Sequence, residues 1–176
     1  MKKITVFLFF FFVMTAVKAQ RTEVSAAKTW KVISSLLSKT YAEAQSILKN
    51  NGLKMNEKEK NEEYGLDNYF FVSEKTKDPD MEPEYIVSCK DNKVVLVMVS
   101  YDYDMGEEET VLKKDREEII KQLKMAAFTL AEEKKKPKQQ VFKNKNNGAC
   151  IYTDLEMASF SLMVGEVKYV EIITAD

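Results

Sequence analysis

Residues 85–99 read YIVSCKDNKVVLVMV, and this stretch decides the fold class. Tyr85 to Cys89 is a β-branched and aromatic run, and Val94 to Val99 is unbroken apolar sequence. A continuous apolar run of that length suits a central strand buried on both faces. Asp91-Asn92 lies between the two runs, and both residue types tolerate the positive φ of a tight hairpin turn. The stretch therefore reads as an antiparallel hairpin whose second strand lies deep in a sheet.

Working outward, Tyr69 to Val72 is another short aromatic and β-branched strand, and Leu53 to Lys60 alternates weakly, as an edge strand does. Between strands, Lys75 to Glu84 carries Pro79, Pro83 and the acids Asp78, Asp80, Glu82 and Glu84, so it reads as a loop. Ahead of the strands come two helices. Ala26, Trp30, Ile33 and Leu37 form a helical stripe over residues 22–37. Thr40 and Glu43 form a capping box for the second helix, Ala44, Ile47 and Leu48 give its buried face, and Asn50-Asn51-Gly52 ends it. Beyond the hairpin, Leu112, Ile119, Leu123, Ala127 and Leu130 predict one long helix from about Glu107 to Lys135, stopped by Pro137. Strands are expected again at Gln139–Lys143, Ala149–Thr153, Ala158–Val164 and Val167–Thr174, with Gly148 and Gly165 in the turns.

The resulting order predicts an α+β fold, with helices packed on one face of an antiparallel sheet. It also suggests a helix-plus-four-strand unit used twice, over residues 20–104 and 105–176, sharing one compact domain. Tyr85–Asp102 and Phe160–Asp176 can be laid over each other as hairpins. A helix-loop-helix leading into four strands, in tandem, is similar to the β-lactamase-inhibitor-protein-like and PepSY-like small exported domains. The matching parts are Val24 to Gly52, with its Thr40-Tyr41-Ala42-Glu43 cap, and the strand block after it. The second unit departs from the pattern, with one long helix in place of two. The resemblance implies a binding or inhibitory module rather than a catalyst.

The first 19 residues carry an address. Lys2 and Lys3 precede an apolar run from Ile4 to Val17, and Val17-Lys18-Ala19 suits a signal peptidase, with cleavage expected before Gln20. The run is shorter than the roughly 20 residues a spanning helix needs. The leader resembles those of secreted Bacteroidota proteins. A Sec-exported, periplasmic or extracellular protein is expected, with no stable membrane insertion after cleavage. Its 27 basic residues less Lys2, Lys3 and Lys18 leave 24 against 28 acids, a mature charge of −4. That balance offers nothing to attract nucleic acid.

Composition narrows the chemistry. The chain of 176 residues contains no histidine, which excludes histidine-based triads, bases and metal ligands. No Gly-x-Ser-x-Gly and no glycine-rich phosphate loop is present. Asp102 to Glu108 has the alternating acids of a calcium loop, but Lys113 stands where the bidentate acid belongs, so no metal is expected. Cys89 and Cys150 pair in a disulfide on one reading and are two buried free thiols on the other.

The recognition candidates are therefore Asp78, Asp80, Glu82 and Glu84 on the loop and Tyr101 and Tyr103, which share parity and flank acids. Tyr64, Tyr69, Tyr85, Tyr152 and Tyr169 also lie on or beside strands, where cross-strand packing competes with exposure. The function expected is a non-enzymatic module, inhibitor or immunity-like, that binds a protein partner and holds no cofactor. A small-molecule or glycan binder and a small carboxylate-dependent hydrolase are the alternatives.

Overall fold

A computed structural model describes residues 26–75, 85–102, 108–135, 138–154 and 159–174. Among these are four helices and one eight-stranded antiparallel sheet, an α+β architecture. The helices are α1 (Ala26–Leu36), α2 (Tyr41–Asn50), α3 (Glu108–Met125) and α4 (Val167–Thr174). The strands are β1 (Leu53–Asn61), β2 (Leu66–Ser73), β3 (Tyr85–Lys90), β4 (Lys93–Asp102), β5 (Thr129–Lys135), β6 (Lys138–Lys143), β7 (Asn147–Asp154) and β8 (Ser159–Glu166). Their spatial order is β1-β2-β3-β4-β8-β7-β6-β5. Two four-strand meanders thus meet along their last strands.

The deciding hairpin forms as expected. Asp91 and Asn92 both adopt positive φ, 49° and 63°, in the turn between β3 and β4. Every residue from Val94 to Val99 is buried. A bulge after Ser88 leaves Val95 without an opposite residue, so Val94 and Leu96 point to different faces. The α1–α2 connection is tied to this hairpin, with Val94 N donating to Lys39 O at 2.8 Å and Tyr41 N to Asn92 O at 3.0 Å. The capping box of α2 is present in full, and Gly52 ends the helix at φ +80°.

Strand side chains alternate between two buried clusters. The larger unites Ile33, Leu36, Leu48 and Leu123 of α1–α3 with residues such as Val87, Val97 and Leu162; we call this the inner face. The smaller unites Tyr169 and Val170 of α4 with Leu66, Val95, Leu96, Val141 and Cys150, the outer face. The C-terminal helix therefore groups with the opposite set of strand side chains, and the helices do not share one face.

Two segments differ from the sequence reading. The long helix expected over 107–135 ends at Met125. Ala127 takes φ 62°, Phe128 N donates to Leu123 O at 2.9 Å, and a charged edge strand follows. Glu and Lys are good helix formers, but they are also what an exposed sheet edge carries to discourage further pairing. Val167–Thr174 forms a helix where a strand was expected. Its β-branched composition favours a strand, yet Tyr169, Val170 and Ile173 lie on one helical face and pack on the sheet. Burial overrides propensity. Gly165 is accordingly not a turn residue but sits within β8, and a Cβ there would come 2.3 Å from Val95 O. The glycine permits a close backbone approach.

Candidate functional site

The register of the sheet sets up one transverse row on the outer face. Glu57 lies opposite Phe70, Phe70 opposite Ile86, Ile86 opposite Met98 and Met98 opposite Met163. The row continues through Cys150 and Val141 to Glu132. Six apolar side chains cross the sheet, and a glutamate on each edge strand closes the row. Directly opposed residues share a face and touch, so the row is a single apolar band.

The two halves of this band differ. Met163, Cys150 and Val141 belong to the cluster under α4. Among the described residues, Phe70, Ile86 and Met98 join neither buried cluster, and α4 packs against β7, β8 and β4. Phe70 and Ile86 are half-buried, whereas Met98 is buried. Alternation requires this arrangement. Tyr69 and Phe71 turn inward to the core, which leaves Phe70 outward, and Val87 does the same for Ile86.

A parallel row borders the band. Glu59 lies opposite Asn68, and Asn68 opposite Ser88. Asn68 is 4% exposed, and its Oδ1 has no hydrogen-bond partner. A buried unpaired amide oxygen costs about 1–3 kcal/mol. Glu57 and Glu59 are exposed and form no ion pair among the described residues. On the opposite side of the band, Ser100 Oγ and Ser161 Oγ are 3.4 Å apart. The rim next to β1 is thus built from acceptors.

An inner-face cluster lies under the same edge. Tyr41 and Tyr69 stack with centroids 3.8 Å apart, and Lys58 Nζ stands 5.1 Å from the Tyr69 ring centroid. Lys58 also pairs with Asp67 at 3.3 Å. Burial, followed by the neighbouring Tyr69, raises the Tyr41 hydroxyl above its ordinary pKa. The stack fixes α2 to the sheet edge.

Neither cysteine is set up as a nucleophile, and the two are not bonded. Both thiols are free and buried. Burial, with Asp67 adding to it, pushes the Cys89 thiol up to about 11. Burial also raises Cys150, against a hydrogen bond from Gln139 Nε2 at 3.4 Å. Cys89 is on β3 in the inner cluster and Cys150 is on β7 in the outer one. β4 and β8 separate them, a lateral distance of roughly 14 Å. A disulfide needs Cα atoms within about 7 Å, so the disulfide reading is corrected.

Of the sequence candidates, Tyr103, Asp78, Asp80, Glu82 and Glu84 lie outside the described residues, as do residues 1–25. Tyr101 is the penultimate residue of β4, opposite Phe160. Tyr69, Tyr85 and Tyr169 are core residues, while Tyr64 and Tyr152 are half-buried. The outer row was not singled out from sequence. Its signal was the parity of Phe70 and Ile86 against their inward neighbours, which becomes readable only when the cross-strand register is known. Among the described residues, no group of three metal-ligating side chains gathers, and no helix is long and apolar enough to cross a membrane. Comparison with protein families, curated proteins and solved structures found no match.

Proposed function

We propose that this protein is an exported, non-enzymatic binding module that holds a protein partner on the outer face of its sheet. The observation that carries the reading is the half-row Phe70–Ile86–Met98, large apolar side chains on one face that join neither core cluster. Contiguous apolar surface rimmed by polar groups is characteristic of protein contact sites. Phe70 and Ile86 are half-buried and Met98 is buried already, so a partner would cover the remaining apolar surface of the first two, at about 25 cal/mol per Å². The buried, high-pKa thiols give no activated nucleophile to set against this reading. An inhibitor or immunity-type role needs only such surface complementarity, and it is the role that the resemblance over residues 24–52 implies.

The module is best read as a tandem pair over residues 20–104 and 105–176. Ala44, Leu48, Gly52 and Leu53 recur 75 positions later as Ile119, Leu123, Ala127 and Phe128. Each set comprises two buried helix residues, one residue at positive φ and one buried residue directly after it. The bulge follows at the same offset, between Met55 and Glu57 and between Leu130 and Glu132. This offset replaces the hairpin overlay drawn from Tyr85–Asp102 and Phe160–Asp176, because the second of those segments ends in a helix.

The test is capture from the envelope fraction of the native organism, with the chain from Gln20 compared against a Phe70→Lys/Ile86→Lys variant. The reading expects a protein retained by the native chain and lost by a variant with an unchanged far-UV spectrum. Equal retention by both would overturn it.

A further inference from the structure

We infer that the turn joining α3 to β5 is a peripheral anchor, an exposed apolar tip rimmed by lysines that docks on an anionic lipid surface. The inference goes beyond the outer-face reading and does not depend on it. Met125 and Leu130 are 73% and 51% exposed, the two most exposed large apolar side chains among the described residues. Ala126, Ala127 and Ala131 are exposed alongside them in sequence. Phe128 alone turns into the core, where it meets Trp30 edge-on.

The first half of the chain supplies the comparison. Residues 50–56 end a helix and start an edge strand, as residues 125–131 do, and both stretches run three exposed residues, one buried, then three exposed. Gly52 and Ala127 both take positive φ, 80° and 62°, and their amides donate to Lys49 O at 2.9 Å and Lys124 O at 3.0 Å. At the exposed positions the first stretch has Asn50, Asn51, Gly52, Lys54, Met55 and Asn56. The second has Met125, Ala126, Ala127, Thr129, Leu130 and Ala131. The backbone therefore does not require apolar residues here, since the first stretch makes the same turn with polar ones. Ala127 also puts a Cβ into the left-handed region that glycine enters freely. Apolar surface kept in water, where a polar sequence folds as well, marks a contact site.

Charge selects the partner. Lys124 is exposed next to Met125, and Asn144 Nδ2 donates to Ala126 O at 3.3 Å, which holds the β6–β7 turn and its exposed Lys145 against the tip. Neither lysine forms an ion pair among the described residues. No acid occurs from Ile119 to Ala131 or from Lys138 to Thr153. A second copy seated here about a twofold axis would set these lysines against their own equivalents. Met125, so largely exposed, projects from the surface and lines no groove. A projecting apolar tip with a basic rim suits a bilayer: the apolar atoms enter the headgroup region while the lysines stay at its anionic surface.

The test is cosedimentation of the chain from Gln20, which lacks the apolar leader, with large vesicles of phosphatidylcholine alone or mixed equally with phosphatidylglycerol. Binding to the anionic vesicles is expected to be at least about tenfold tighter, and to be lost in about 1 M salt, where charges are screened beyond about 3 Å. Met125→Asn/Ala127→Gly installs the residues found at positions 50 and 52. It is expected to weaken binding about tenfold with an unchanged or raised urea midpoint. Lys124→Gln/Lys145→Gln, confined to exposed side chains, is expected to weaken it about tenfold as well. No sedimentation with either vesicle, equal sedimentation with both, or undiminished binding by either variant would overturn the inference. Capture of an acidic protein through Met125, with no vesicle binding, would assign the tip to a protein partner and overturn the membrane assignment.

Discussion

Val170 packs directly over Gly148, so that a Cβ on the glycine would stand 3.0 Å from the Cβ of Val170. This contact sets the height at which α4 rides on β7. Gly148→Ala overfills it and is expected to cost about 1–3 kcal/mol. Hydrogen exchange should accelerate over residues 167–174 ahead of the rest of the chain. An unchanged urea midpoint with unchanged exchange would show that α4 is not seated through this contact.

The thiols give a second prediction. Since burial holds Cys89 near 11 and raises Cys150, the folded protein should react slowly with an aromatic disulfide reagent and the unfolded protein should release two thiols. The sign of the pH effect follows from the raised folded pKa. The native state retains its proton through the range where the unfolded thiol ionises, so stability falls as pH rises from about 8.5, the free thiol value, towards about 11. Cys89→Val should flatten that alkaline limb. A native mass two hydrogens below the reduced value would contradict the account.

The α2 cap gives a third. Glu43 N donates to Thr40 Oγ1, and Glu43 Oε2 accepts from Thr40 N at 2.9 Å and from its hydroxyl at 2.8 Å. These bonds, the backbone one first, hold the Glu43 carboxyl below its ordinary value. A depressed folded pKa means that the contribution is present above the unfolded carboxylate pKa and is lost as pH falls through the folded one. Thr40→Ala should cost about 1 kcal/mol at neutral pH. Glu43→Gln should weaken the acid dependence of the urea midpoint, and an identical acid limb in both proteins would refute the cap's role.

The buried amide of Asn68 gives a fourth prediction, on stability. Replacing it with leucine removes an unpaired buried oxygen and is expected to leave the melting temperature unchanged or to raise it, with a gain of up to about 1 kcal/mol. Destabilisation by Asn68→Leu would show that the amide has a structural role.

The sheet was legible because apolar patterning and turn chemistry agreed. Val94–Val99 is the unbroken apolar run expected of a central strand, and Asp91-Asn92 suits a tight turn. Thr40 and Glu43 placed the second helix to within a residue. The errors fell where two physical signals competed. Glu132 to Lys135 suits a helix by propensity and an edge strand by charge. Val167–Thr174 suits a strand by propensity and a helix by its apolar face. The candidate site was hidden for a different reason. Phe70, Ile86 and Met98 lie on three strands, and only register brings them into line.

The most direct measurement is the outer-face exchange footprint of the native complex. The partner captured on the chain from Gln20 would be titrated back, and amide exchange compared with and without it. The account predicts protection concentrated on β2, β3 and β4 around Phe70, Ile86 and Met98, abolished by Phe70→Lys/Ile86→Lys. Protection confined to the helices of the inner face, or undiminished in that variant, would contradict it.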